Sequence, residues 1–146
     1  MSTKFVLSQR AFEKLLKNLV AFEEEYQSMV DDYYPQYTKE RESFVELLTE
    51  YIKKLNTTLK NITFREKCDN YFPFVIIGSE VEIQDIDDGE AYKYRIVAPT
   101  ERDIENDYIS FLSPVGRALL LKEKDETVVV NTPNGVYRYR IKSIKL

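Results

Sequence analysis

Histidine and tryptophan are absent from this 146-residue chain, and Cys68 is its one cysteine. Without histidine there is no imidazole acid–base chemistry, no Ser–His triad and no His metal site. A lone cysteine excludes an internal disulfide and a Cys-based zinc site. The four glycines stand at neither the dinucleotide-loop nor the phosphate-loop spacing. Apolar runs such as Phe74 to Ile77 fall far short of the ~20 residues a membrane helix needs. The opening Met1-Ser2-Thr3-Lys4-Phe5 leads into no signal-peptide stretch, so a soluble, cytoplasmic protein with no membrane partner is expected. Net charge is −4, which argues against generic electrostatic attachment to nucleic acid. Carboxylates and tyrosines remain for chemistry, or a binding role.

What is present divides into two halves. Phe12, Leu15, Leu19, Phe22, Tyr26 and Met29 follow a three–four spacing, the stripe of a coiled-coil helix, with Ser8 as its N-cap. The stripe stops at Asp31-Asp32-Tyr33-Tyr34-Pro35, an exposed turn whose Pro35 suits the first turn of a following helix. A second stripe runs through Tyr37, Phe44, Leu48, Tyr51, Leu55 and Ile62. Each stripe is narrow, so the helices are expected to fold back on each other as an antiparallel hairpin.

Asp69-Asn70 and Pro73 break this pattern, and the junction between domains is placed here, as 1–72 and 73–146. Beyond it the period becomes two. Val81 and Ile83 alternate with acids, Asp87-Asp88-Gly89 signals a hairpin, and Tyr92, Tyr94 and Ile96 alternate with Lys93, Arg95 and Val97. Tyr108 to Leu112 reads as a short strand. Ser113 and Pro114 open a short helix to Leu121. Val128 to Val130, a turn at Pro133-Asn134-Gly135, and Val136 to Ile144 complete a small antiparallel sheet with one helix, so the class is α+β.

Charge is segregated along the hairpin. Residues 23–50 hold nine acids against two bases, whereas residues 1–22 and 51–71 hold nine bases against three acids. Outer faces of coiled coils are charged in any case, but mixed signs would stabilise them better through local pairs. Like charge gathered at a tip creates a directed field. Asp31 and Asp32 are the sharpest feature there; adjacent carboxylates can help hold a Mg²⁺ whose other ligands lie elsewhere, but alone they make no self-contained metal site. Tyr33, Tyr34 and Tyr37 crowd the same tip and either cap its apolar end or anchor a partner. Arg138, Arg140 and Lys142 share one strand face, read as solvated.

Four motifs in the second half resemble the Gre family of bacterial transcription elongation factors. Gly78-Ser79-Glu80-Val81 is similar to its G-S-x-V strand, and Tyr94-Arg95-Ile96-Val97 to its Y-x-I-V strand. Residues 109–120, from Ile109-Ser110 through Ser113-Pro114-Val115-Gly116-Arg117-Ala118 to Leu120, are similar to I-S-x-x-S-P-x-G-x-A-L-L. Pro133-Asn134-Gly135 with Tyr139 and Ile141 is similar to the closing P-x-G…Y-x-I.

The resemblance implies an FKBP-like C-terminal domain that docks on bacterial RNA polymerase, with the surroundings of Ser113, Pro114, Gly116 and Arg117 at the contact. It implies a coiled coil inserted into the polymerase's secondary channel, contacting nucleic acid only indirectly. Tip acids there help hold the polymerase's own catalytic Mg²⁺; the factor is no enzyme, has no cofactor of its own, and is expected to be a monomer. Cleaving members carry D-L-x-E-N-A-E-Y at the tip. Here Asp32 is followed by Tyr33-Tyr34-Pro35, which places proline at the second acid. The hairpin also reads about three turns short, more than ~10 Å at 1.5 Å per residue. The regulator of nucleoside diphosphate kinase, a short-hairpin relative, is the nearer analogue, and modulation without efficient transcript cleavage is expected. Leu121 and Asp125 replace two family glycines. Three alternatives stay open: a cleavage-stimulating factor, a coiled-coil dimerisation protein unrelated to polymerase, and, by fold analogy alone, a prolyl isomerase.

Overall fold

The computed structural model describes residues 5–98 and 107–146, and the chain forms two compact units, Met1–Cys68 and Asp69–Leu146. The boundary precedes the expected 72/73 because the intervening residues are tied to the second unit. Phe72 N–H donates to the Ile144 carbonyl, Leu146 N–H to the Asn70 carbonyl, and Tyr71 bridges Lys145.

In the first unit, α1 (Gln9–Tyr33) and α2 (Lys39–Thr58) form the hairpin. The Ser8 hydroxyl caps α1 by accepting from Ala11 N–H, as its position predicts. At 25 and 20 residues the helices are about 37 and 30 Å long. Leu15, Leu19, Phe22 and Met29 of α1 are buried, as are Phe44, Leu48, Tyr51 and Leu55 of α2; Phe22 and Tyr51 meet edge to face at 5.3 Å.

The stripe fails at both ends of α2. Tyr37 is 92% exposed and lies in the loop before the helix, whose cap is Thr38, so Pro35 is a loop residue and not part of a first turn. Ile62 lies beyond the helix. A 3₁₀ turn at Leu59–Asn61 leads into β2 (Ile62–Phe64), which pairs in parallel with β1 (Phe5–Leu7). This two-stranded ribbon is absent from the sequence reading, because three residues are too few to show a period. Leu7 is fully buried, and Phe64 packs edge to face on Phe12 at 5.1 Å.

The second unit is a five-stranded sheet in the order β5-β4-β3-β7-β6. Its strands are β3 (Glu80–Asp85), β4 (Ala91–Val97), β5 (Tyr108–Ser110), β6 (Thr127–Thr132) and β7 (Gly135–Lys145). The sheet is not wholly antiparallel: β5 runs parallel to β4. The short helix α3 (Pro114–Leu119) packs against β5 and β6.

Val81, Ile83, Ile96, Val128, Val130, Ile141 and Ile144 form the buried face. Between Glu82 and Ile83 the pairing with β7 slips by one residue, so Lys142 is the extra residue. This bulge lets Ile141 and Ile144 both point into the core despite a spacing of three. Leu121 and Asp125 adopt φ of 69° and 72°. Both residues thus hold the left-handed backbone that glycine adopts most easily, at a cost of about 1 kcal/mol each. Leu121 N–H donating to the Val75 carbonyl at 2.9 Å helps hold it.

Candidate functional site

Asp31 and Asp32 are not on a turn. They occupy the last turn of α1, both exposed. Hydrogen-bonded helix continues through them to Tyr33, because the first true breaker is Pro35. Successive helical residues diverge by about 100°, so the two carboxylates leave the helix in different directions.

Their environments differ as well. Asp31 Oδ1 accepts from Arg41 Nη2 at 3.0 Å and from Gln27 Nε2 at 3.3 Å. Arg41 Nη1 donates to the Tyr34 carbonyl at 2.8 Å, and its guanidinium lies 4.7 Å from the centre of the Tyr37 ring. One cation therefore holds the C-terminal end of α1, the loop and the first turn of α2. Among the described residues nothing pairs with the Asp32 carboxylate. Sequence reasoning missed Arg41, counting it only as a base among acids; its i+10 spacing from Asp31 becomes a contact only once the loop is closed.

The tip tyrosines divide. Tyr34 covers the apolar end of the hairpin, its ring 4.7 Å from that of the fully buried Phe44. Tyr33 is 46% exposed and Tyr37 more so. Around them Glu23, Glu24, Glu25, Glu40, Glu42 and Glu46 are all exposed. Glu40 and Glu42 lie in the first turn of α2, where the helix dipole favours them. Among the described residues no group of three or more potential metal ligands gathers.

At the start of α3, Ser113 is the cap. Its Oγ accepts from Gly116 N–H at 3.1 Å and donates to the Ser110 carbonyl at 2.6 Å. Pro114 follows at the first helical position and is exposed; Arg117 is half-buried in the last turn. Gly116 is buried with Ser110 at its side: a Cβ there would lie 2.1 Å from the Ser110 carbonyl oxygen. Ser113 and Gly116 thus have structural duties, and Pro114 is the member most open to a partner.

The basic strand face is interleaved with acids. Arg95 approaches Glu80 and donates to the Gly78 carbonyl, Lys93 faces Glu82, and Arg138 pairs with Asp87. The opposite face carries the perturbed phenols. Tyr92 is pushed up to about 12, first by its hydrogen bond to Glu90, then by burial and the charges of Glu90 and Asp88. Tyr139 is raised by burial and then by Asp85.

A family pattern described as "Transcription elongation factor, GreA/GreB, C-term" matches residues 72–146. GreA from Nitratidesulfovibrio vulgaris is 47% identical over 70 residues, covering 48% of this chain and 44% of that protein. GreB from Pseudomonas putida is 36% identical over 110 residues, covering 75% of this chain and 65% of that one. The chain spans about half the length of the curated GreA relatives it matches, 44% and 45% for two of them. Among solved structures, a GreA/GreB factor from Nitrosomonas europaea aligns over 98% of this chain and 100% of its own at 21% identity, with a TM-score of 0.49. Thermus aquaticus Gfh1 aligns over 98% and 99% at 22% identity, with a TM-score of 0.46. The family's C-terminal pattern runs from Phe72 through every strand of the sheet unit to Leu146, and on that match the chain belongs to the GreA/GreB family of transcription elongation factors.

Proposed function

We propose that this protein regulates transcription elongation by binding bacterial RNA polymerase through its sheet unit and presenting the acidic hairpin tip inside the secondary channel. Family membership supports the machine, and the relatives' names supply the process. The observation that carries the role of the tip is its charge arrangement: Asp32 is free and exposed among acidic neighbours, while Asp31 is bound by Arg41.

The chain's own residues then do three things. Asp32 supplies one carboxylate toward the polymerase's catalytic Mg²⁺, a cation that accepts one or two carboxylates beside phosphates and water. Arg41 withholds the second, and Pro35 has no ligating side chain. The exposed Tyr33 and Tyr37 offer aromatic contact area to the channel wall. A single carboxylate suits modulation of the active centre better than efficient transcript cleavage, which is polymerase chemistry in either case. The protein is read as a cytoplasmic monomer, and no helix among its described residues is long and apolar enough to cross a membrane.

The test is a pull-down with core RNA polymerase followed by a backtracked complex. The full chain is expected to bind, to alter the elongation rate, and to leave transcript shortening near the polymerase-alone rate. Asp32→Ala should remove most of the effect on elongation, about tenfold, while binding persists. Vigorous cleavage abolished by Asp32→Ala would establish a cleavage factor instead. Failure to bind, together with a concentration-dependent dimer, would favour a coiled-coil interaction protein.

A further inference from the structure

The buried face of the sheet continues past its aliphatic core as a run of tyrosines. Register sets Tyr94 opposite Val81 and Tyr92 opposite Ile83, and sets Tyr139 opposite Asp85 across the other edge of β3. Tyr137, two residues before Tyr139, shares its face. The rings form a continuous series. Tyr94 stacks on Tyr92 at 6.1 Å, Tyr92 meets Tyr139 edge-on at 6.4 Å, and Tyr139 stacks on Tyr137 at 6.3 Å. All four are partly exposed.

Aromatic pairs across strands stabilise sheets, and that explains part of the arrangement. It does not explain the hydroxyls or the charges. Tyr92 O–H donates to Glu90 at 2.8 Å, but the hydroxyls of Tyr94, Tyr137 and Tyr139 bond to no other described residue. Of the cations of these strands, Lys93, Arg95, Arg138, Arg140 and Lys145 alternate onto the other face, and Lys142 is the extra residue of the bulge. What borders the rings is negative: Glu90 and Asp88 beside Tyr92, and Asp85 beside Tyr139. Asp87 is the exception in this turn, since it pairs with Arg138. The face is therefore a strip of π-systems with unused hydroxyls and an acidic margin, which complements a positively charged, planar side chain.

We propose that the tyrosine face of the sheet docks an arginine-bearing segment of a protein partner, its guanidinium lying on the rings and its charge directed toward Glu90 and Asp88. Arginine stacks on aromatic faces and donates in a fork to carboxylates, so one side chain meets both features. Tyrosine supplies large, stiff contact area at small entropic cost, and its free hydroxyl can take up a neighbouring backbone group. This surface is independent of the hairpin tip and does not rest on the reading given under Proposed function.

The experiment is an NMR titration of the full chain, with tyrosine rings carbon-13-labelled, using acetyl-Gly-Arg-Gly-Gly-Arg-Gly-amide as probe. The same peptide with citrulline for arginine keeps the shape and removes the charge. The arginine peptide is expected to give saturable shifts centred on Tyr92, Tyr94, Tyr137 and Tyr139, with the citrulline peptide about fivefold weaker. Asp88→Asn with Glu90→Gln should weaken the arginine peptide about threefold and leave the citrulline peptide unchanged. Tyr94→Leu with Tyr137→Leu should abolish the shifts; if that variant does not fold, the Asp88/Glu90 variant decides. Absence of ring shifts at millimolar peptide, or equal response to both peptides, would overturn the proposal. So would ring shifts that grow with protein concentration alone, which assign the face to a second copy, or stronger shifts with a single-stranded oligonucleotide, which assign it to base stacking.

Discussion

Gly116→Ala is expected to destabilise the sheet unit by about 3 kcal/mol or more. The added methyl would stand 2.1 Å from the Ser110 carbonyl oxygen and 3.0 Å from the Phe111 Cα. Both neighbours are backbone, and neither can rotate away as a side chain would. Phe111 is itself fully buried, and its N–H donates to the Val97 carbonyl, so yielding there would pull on β4. The alternative is to lift α3 off the Ser110 turn, which breaks the Ser113 cap and exposes Leu119. Gly89→Ala is the control. Gly89 has φ of +79° but nothing within 4 Å of its would-be Cβ, so only backbone strain of about 1 kcal/mol is expected. Urea unfolding followed by tyrosine fluorescence measures both. Equal losses for the two variants would show that the close approach at Gly116 relaxes at little cost. Packing alone thus accounts for glycine at position 116 of this chain.

Arg41→Ala is expected to loosen the hairpin tip and to lower stability by about 1–2 kcal/mol. Arg41 is 13% exposed in its side chain and Asp31 57%, so the ion pair itself is discounted for solvent screening. The larger part comes from the guanidinium donating to the Tyr34 carbonyl, with a smaller share from its contact with the exposed Tyr37 ring. There is also a dipole argument. Asp31 and Asp32 both sit at the negative end of α1, which has no base in its last turn, and Arg41 supplies that base from the neighbouring helix. Without it the last turn of α1 carries two acids and no cation. Amide hydrogen exchange should therefore accelerate at Tyr34 and the turn before it, while Leu19 and Leu48 in the middle of the hairpin stay protected. Arg41→Lys keeps the charge but not the fork, and should fall between the two. Unchanged exchange at the tip in Arg41→Ala would contradict the clasp.

Helix existence was legible in the sequence because the α1 and α2 stripes repeat often enough to define a period. The ends were not. Tyr37 fits the spacing of the second stripe yet is highly exposed, since Thr38 caps the helix one residue later. β1 and β2 escaped because each is three residues long and its partner lies far away in sequence. In the sheet unit, alternation placed β3, β4 and β7 correctly, while the parallel β5 pairing could not be read from so short a run. The candidate sites show the same limit. Asp31 and Asp32 look equivalent as a dipeptide, and only Arg41 arriving from the next helix separates them. The tyrosines of β4 and β7 each alternate visibly, but that the two pairs share a face follows from β3 lying between them. Residues engaged through local patterns were found; those that need chain reversal or sheet order were not.

Photo-crosslinking tests most directly the proposal that the hairpin tip reaches the catalytic centre of RNA polymerase. A photoreactive phenylalanine analogue at Tyr33 or Tyr37 in the full chain, bound to core polymerase, is expected to crosslink to segments lining the secondary channel beside the catalytic Mg²⁺. The same analogue at Val129, exposed on the sheet unit, should crosslink to the outer surface of the polymerase or not at all. Tip crosslinks confined to that outer surface, or to a second copy of this chain, would contradict the account.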